Sequence, residues 1–410
     1  MTSTTPNVLW RGRALALLGI VLLAFSLRSA VASLSPLYTL IEKDFAVPAA
    51  VAGLIGTVPP LCFAVFGLTA AGIDRRLGVE RTTLLALVVM SIGLATRALA
   101  PNAAGLLVGS AIIFAGVGVG NVMLPALAKR YFSDRLGLMT TVYTTTMALS
   151  SFTPPLVAVP IADAAGWRSS LGLWTVFAAA GVIPWIVILL RSRSAASADR
   201  EVEGVSQRVF GRMWRLATPW ALVVAFFASS TIAYVSFAWL PRILVDTAGV
   251  TPAVAGVMLS LFALMGLPAS LIVPALVART GMVMPLFAVA SGCGIAGSLG
   301  LILAPAAAPW LWVTLLGTAP MLFPIVLVLV GLRSRGHDAT VALSSFVQSL
   351  GYGATSVMPL SVGLLHDATD SWVGALALLC VMSVLAIPAG LVIARRKTVE
   401  QEWEQRHGSW

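Results

Sequence analysis

Twelve apolar runs, each of about 18 residues or more, follow one another along this chain, and each is long enough to cross roughly 30 Å of hydrocarbon. They cover residues 14–37, 49–71, 82–100, 104–128, 136–160, 170–190, 216–240, 252–278, 283–304, 310–332, 340–365 and 373–394. In such a medium each span has to satisfy its own backbone, so runs of this length are read as helices. Composition agrees: 59% of the 410 residues are hydrophobic and 10% charged, with a mean hydropathy of +0.95. The expected fold is therefore an all-α integral membrane protein with twelve transmembrane helices.

Lys and Arg orient it, because short loops rich in positive charge stay on the cytoplasmic side. With both termini cytoplasmic, 21 of the 26 basic residues fall inside, Lys43, Arg97, Arg168 and Arg242 fall outside, and Arg28 lies within the first span. Charges spread over many short loops form no basic face, which argues against a nucleic-acid partner. Arg11 and Arg13 before an apolar run, with Ala30-Val31-Ala32 after it, imitate a secretory signal. An arginine beside the mock cleavage site and eleven further spans favour an uncleaved first helix. Cys62, Cys293 and Cys380 all lie in apolar runs, so no disulfide framework is expected. Arginine outnumbers lysine 23 to 3, a bias that suggests a GC-rich bacterial genome.

The chain repeats itself. AVAG occurs at 50–53 and at 253–256, and the pairs Gly78 and Gly281, and Arg130 and Arg333, keep the same offset of 203 residues. The expected organisation is a cytoplasmic tail (1–13), a six-helix bundle (14–190), a cytoplasmic interdomain loop (191–215), a second six-helix bundle (216–394) and a cytoplasmic tail (395–410). Paired bundles of this kind carry a solute site near the midplane.

Several stretches resemble one known family. They are SLRSAVASLSPLY (26–38), GVGVGNVMLPALAKRYF (116–132), YVSFAWLPRILVDTAGVTPAVAG (234–256), FPIVLVLVGLRSR (323–335) and LSSFVQSLGYGATSVMPLSVGLLHDATDSW (343–372). Together they look like the cyanate and 2-nitroimidazole (CynX/NimT) family of the major facilitator superfamily. The resemblance implies a transporter of a small anion or small planar polar solute in a bacterial cytoplasmic membrane, working as a monomer by rocking two bundles. Ser29 stands where the family usually has proline. The superfamily loop signature survives only as GIDRRLGVER (72–81), in which Asp74, Arg75 and Arg76 are candidates for a cytoplasmic gate. Pro154-Pro155 replaces the glycine-rich stretch typical of many exporters.

Arg28 carries the chemistry. It lies 15 residues from Arg13 and 14 from Glu42, about 21–22 Å of helix either way, and so at the midplane. No Asp, Glu or His falls inside a span, which makes Arg28 the one fixed charge expected deep in the membrane. Such a charge defaults to a functional site, and its planar fork suits a bidentate anion. Asn121, Tyr143, Tyr234, Gln348 and Tyr352 are candidates to line the site beside it; Gln348 and Tyr352 share a helix face by their i, i+4 spacing. Trp239 is placed at the outer gate or interface. Prolines 59, 60, 268, 274, 320 and 324 are expected to interrupt helices.

GCGIAG (292–297) imitates a dinucleotide fingerprint but lacks the preceding strand, so close helix packing is expected there. No paired nucleophile, metal-ligand cluster or Walker motif is present, so the chain is not expected to be an enzyme, to hold a cofactor or to hydrolyse ATP. Proton-driven carriers generally relay through embedded acids or histidines; without them, uniport, exchange or symport of an already protonated solute is expected. The competing reading is an exporter of neutral aromatic, drug-like compounds with Arg28 merely structural.

Overall fold

The computed structural model describes residues 13–191, 207–395 and 397–409. Among them the chain is helical, with no strand. The helices are α1 (Ala14–Ala32), α2 (Tyr38–Ile41), α3 (Ala49–Leu77), α4 (Val79–Ala98), α5 (Ala103–Tyr131), α6 (Leu136–Ala165), α7 (Trp167–Arg191), α8 (Gln207–Met213) and α9 (Ala217–Ala248). They continue as α10 (Pro252–Leu264), α11 (Gly266–Thr280), α12 (Val283–Leu303), α13 (Pro309–Thr318), α14 (Leu322–Leu332), α15 (His337–Ser356), α16 (Met358–Thr369), α17 (Val373–Ile393) and α18 (Val399–His407).

Among the described residues, eleven stretches are long and apolar enough to cross a membrane, α10 with α11 and α13 with α14 each counting as one. The run expected at 340–365 is not among them. It is divided at Val357, and α15 is HDATVALSSFVQSLGYGATS, nearly half polar. The division has a cause: Pro359 sits in the first turn of α16, and proline cannot continue the preceding hydrogen-bond ladder. The α13–α14 break likewise carries Pro320 in a short 3-10 turn. Backbone carbonyls at both breaks are bonded from α9, by Ser229 Oγ to Pro320 O at 3.1 Å and by Trp239 Nε1 to Pro359 O at 3.0 Å. The expectation for Pro59 and Pro60 is corrected, since α3 runs through both.

Helices α1 and α3–α7 pack chiefly on one another, as do α9, α12, α13, α15 and α17, and the two groups meet where α3 lies along α15 and α16 and where α6 lies along α10. Small residues permit this, because bundles in lipid associate by close packing more than by the hydrophobic effect. A Cβ on Gly116 would sit 2.7 Å from the Ala86 carbonyl oxygen, and one on Gly297 2.7 Å from the Leu316 nitrogen. The GCGIAG stretch therefore serves packing of α12 on α13. Large apolar side chains such as Leu99, Val176 and Leu303 stay exposed on the outside, a surface suited to acyl chains.

Both described ends of the chain lie on one face of the bundle, here the terminal face. There Arg13 pairs with Asp134 at 2.9 Å and Arg130 with Glu80 at 2.7 Å. Residues 395–410 are more than a tail: α18 docks, with Glu402 accepting the N–H groups of Ala217 and Thr218 and Glu400 those of Arg335 and Gly336. Carboxylates at helix starts satisfy donors that the helix itself cannot. Part of the 191–215 loop is helix α8; residues 1–12, 192–206, 396 and 410 lie outside the described residues.

At the opposite, far face the two groups touch. A Cβ on Gly53 would stand 2.9 Å from the Pro359 carbonyl oxygen, and one on Gly256, 203 positions later, 2.6 Å from that of Pro155. The repeated AVAG motif therefore makes the same contact twice, α3 on α16 and α10 on α6. Glu42 and Arg242 add an ion pair across the groups at 3.3 Å.

Candidate functional site

Arg28 is half-buried on α1 and reaches across to the second group of helices. Its Nη1 donates to the Tyr234 hydroxyl of α9 at 3.4 Å, and the Tyr352 ring of α15 lies 6.3 Å from that of Tyr234, centre to centre. The guanidinium carbon lies 5.8 Å from the centre of the Phe63 ring of α3. Phe63 in turn lies 5.4 Å from Tyr352 and 6.2 Å from Tyr234, ring centre to ring centre, and Phe226 closes edge-on against Tyr352 at 4.8 Å. Three aromatic rings from three helices thus surround one cation.

No carboxylate pairs with Arg28 among the described residues. Holding a guanidinium in the centre of a bilayer costs about 2.5–3.5 kcal/mol on insertion scales. A neutral hydrogen bond returns about 0.5–1.5 kcal/mol, and one at 3.4 Å is at the weak end. A ring contact adds about 0.5–2 kcal/mol. The cage therefore holds Arg28 without neutralising it, and an anion would interact with it more strongly than any of these groups.

The structure brings together Arg28, Tyr234 and Tyr352 of the residues read from the sequence. Gln348 lies one turn from Tyr352 on α15, but its Nε2 donates to Ser344 Oγ on the same helix at 2.8 Å. Asn121 is half-buried on α5, next to Gly120, whose Cα packs on Leu27 of α1; it makes no hydrogen bond to a described residue. Tyr143 is half-buried on α6. Phe63 escaped the sequence reading, because a phenylalanine in an apolar helix carries no signal of its own.

Two expectations need correction. Arg28 is not the only guanidinium enclosed by the helices. Arg97, counted on the outer side, lies in the last turn of α4 at 1% exposure. The reason is Gly109: with no Cβ there, the α5 backbone closes directly over Arg97. Trp239 does not face an interface, since it is fully buried against Pro359 and 5.4 Å from Trp372. It backs the far-face contact, where Gly363 lies against Ala49. At the terminal face, Asp74 is half-buried and Arg76 exposed, while the Arg75 side chain lies outside the described residues. The ion pair seen nearby is Glu80 with Arg130, to which the Tyr131 hydroxyl adds a 2.7 Å bond.

The sequence profile of the Major Facilitator Superfamily matches residues 17–354. The chain is 32% identical over 396 residues to the uncharacterized transporter YycB of Bacillus subtilis (strain 168), covering 95% of this chain and 96% of that one. It is 30% identical over 403 residues to the 2-nitroimidazole transporter of Escherichia coli (strain K12), covering 97% and 100%. With the cyanate transport protein CynX of the same organism it shares 25% over 382 residues, covering 90% and 95%. Among solved structures, a POT family transporter in complex with 5-aminolevulinic acid superposes with a TM-score of 0.73 at 13% identity, covering 93% and 95%.

Proposed function

The chain belongs to the Major Facilitator Superfamily and, within it, to the cyanate and 2-nitroimidazole (CynX/NimT) transporter family, and on that footing we propose that it carries a small anion or small planar polar solute across the bacterial cytoplasmic membrane. In this reading the chain has twelve spanning helices, α15 with α16 forming the eleventh. They group as two six-helix bundles, 14–190 and 216–394, in a monomer with both termini cytoplasmic. The terminal face is then cytoplasmic, and contact at the far face corresponds to an inward-facing state. Transport follows by rocking of the bundles around a midplane site.

One observation carries the solute class: Arg28, with no carboxylate partner, stands among Phe63, Tyr234 and Tyr352 where the two groups of helices meet. An anion with two acceptors fits the guanidinium fork, and a flat solute fits between the rings. The chemistry of the two named relatives, cyanate and a nitroimidazole, spans these shapes. Exporting neutral aromatic compounds past a purely structural Arg28 is less well supported, since the described bond of Arg28 goes to a phenol on another helix and not to backbone carbonyls.

The test is uptake into membrane vesicles by Arg28→Ala and Arg28→Lys. The reading expects Arg28→Ala to abolish saturable uptake and Arg28→Lys, a point charge without the fork, to weaken affinity. Unchanged affinity in both variants would remove Arg28 as the anchor.

A further inference from the structure

A small cavity lies between Arg28 and the far face, and it contains the second enclosed guanidinium. Arg97, Ser35, Tyr38 and Phe114 line it from the first group of helices, and Tyr234 and Phe237 from the second. Its volume is about 30 Å³, room for about two waters or a solute of three or four heavy atoms.

Arg97 has a structural task that accounts for only part of it. Nη1 donates to Ala30 O at 3.0 Å and Nη2 to Ser33 Oγ at 2.9 Å, which caps the end of α1, where carbonyls lack helical partners. Its Nε is wholly enclosed and has no partner, and the same holds for the Ser35 hydroxyl on the cavity wall. No carboxylate pairs with Arg97 among the described residues. An enclosed donor left unmatched costs about 1–3 kcal/mol, and more when charged. The two residues that carry these donors line one small cavity, beside a positive charge and no negative one.

Resting on the anion reading above, we propose that this cavity is a second, outer station for the transported solute. Arg97, Ser35 and Tyr38 receive a small anion from the far face, and Tyr234, which lines the cavity and also touches Arg28, is the wall between the two stations. The anion accepts from Arg97 and Ser35, satisfying both orphaned donors. It then moves past one side chain to the guanidinium of Arg28. The cavity admits linear or trigonal anions of three or four heavy atoms and excludes ring compounds until the far face parts.

The experiment compares entry from the two faces, using right-side-out and inside-out vesicles that hold the full chain, with cyanate, thiocyanate and nitrate as probes. Ser35→Ala removes a hydroxyl with no described partner, so it tests the station without breaking the cap on α1; Arg97→Gln removes the charge. Both variants are expected to raise KM about tenfold, or about 1.4 kcal/mol, for entry from the far face and by less than about twofold from the terminal face. Equal shifts from both faces, or no shift, overturn the outer station. Should Arg97→Gln fail to fold, Ser35→Ala decides alone. Arg28→Gln separates the two ideas: it is expected to raise KM from both faces, and an Arg28→Gln result without effect sinks the anion reading itself. If none of the three probes is carried, both ideas fall.

Discussion

Arg242 of α9 holds Glu42, 200 positions earlier, at 3.3 Å, and so ties the two groups of helices together at the far face. Both side chains are about a quarter to a third exposed, and an exposed pair contributes about 0.2–1 kcal/mol. Arg242→Ala is therefore expected to shift the balance toward a parted far face by no more than about fivefold. The measurement is the alkylation rate of a reporter thiol, Ile55→Cys, on the cavity wall; a rate that does not rise argues against the pair as a latch.

The glycine contacts are less forgiving. Gly53→Ala and Gly256→Ala each place a methyl group against a proline carbonyl, at 2.9 and 2.6 Å in the present geometry, so the backbones have to separate. Either variant is expected to hold the far face apart, to raise labelling of the same reporter, and to slow transport severely. Gly72→Ala, with nothing within 4 Å, is the control and should behave as the unaltered chain. Normal transport by both contact variants would mean that this face need not close.

Tyr234→Phe removes one hydroxyl from the cage and leaves the ring. Because the bond it makes to Arg28 is long, at 3.4 Å, stability in detergent should hardly change. A hydroxyl that bonds a charged solute contributes about 1.5–3 kcal/mol, so KM is expected to rise tenfold or more. A large fall in melting temperature with an unaltered KM would recast Tyr234 as a structural residue.

Glu402 is a stability element. It accepts from two backbone N–H groups at the start of α9, and losing it orphans both. Glu402→Ala is expected to cost about 1–3 kcal/mol, read as earlier thermal unfolding of the purified chain. Glu404→Ala, whose 4.0 Å pair with Arg335 is about half exposed, should change little. Equal effects from the two would show that the caps do not matter.

The acid response of the far face has a definite sign. The Trp167 indole and Arg168 donate to Asp44 and hold its carboxyl below the usual carboxylate range. A depressed value stabilises the fold fully above the ordinary value of about 3.9 and loses that contribution as pH falls through the lower one. The difference in stability between the unaltered chain and Asp44→Asn is therefore expected to stay constant from neutral pH to about pH 5 and to close only in stronger acid. A difference that closes near neutrality would contradict this assignment.

Much of the fold could be read from the sequence, because a span announces itself by length and hydropathy, and a charge among apolar neighbours announces a site. Arg28 was visible for that reason. What the sequence left obscure depends on contacts between distant segments. Arg97 reads as one more charge of the outer side until Gly109 lets α5 close over it, and Phe63 carries no signal until α1 brings a guanidinium to its ring. The run at 340–365 differs in the opposite sense: the sequence reading takes it as a span, whereas α15, which carries Gln348 and Tyr352, is too polar to count among the apolar stretches of the described residues. Gln348 has the right spacing, yet its amide is bonded along its own helix.

The duplicated Gly53 and Gly256 contacts have a mechanical consequence. They stand on the two separate seams by which the helix groups meet, like a pair of matched fulcrums, so levering one seam apart while the other stays shut would twist both groups sideways. In the proposed rocking cycle both seams therefore have to part together.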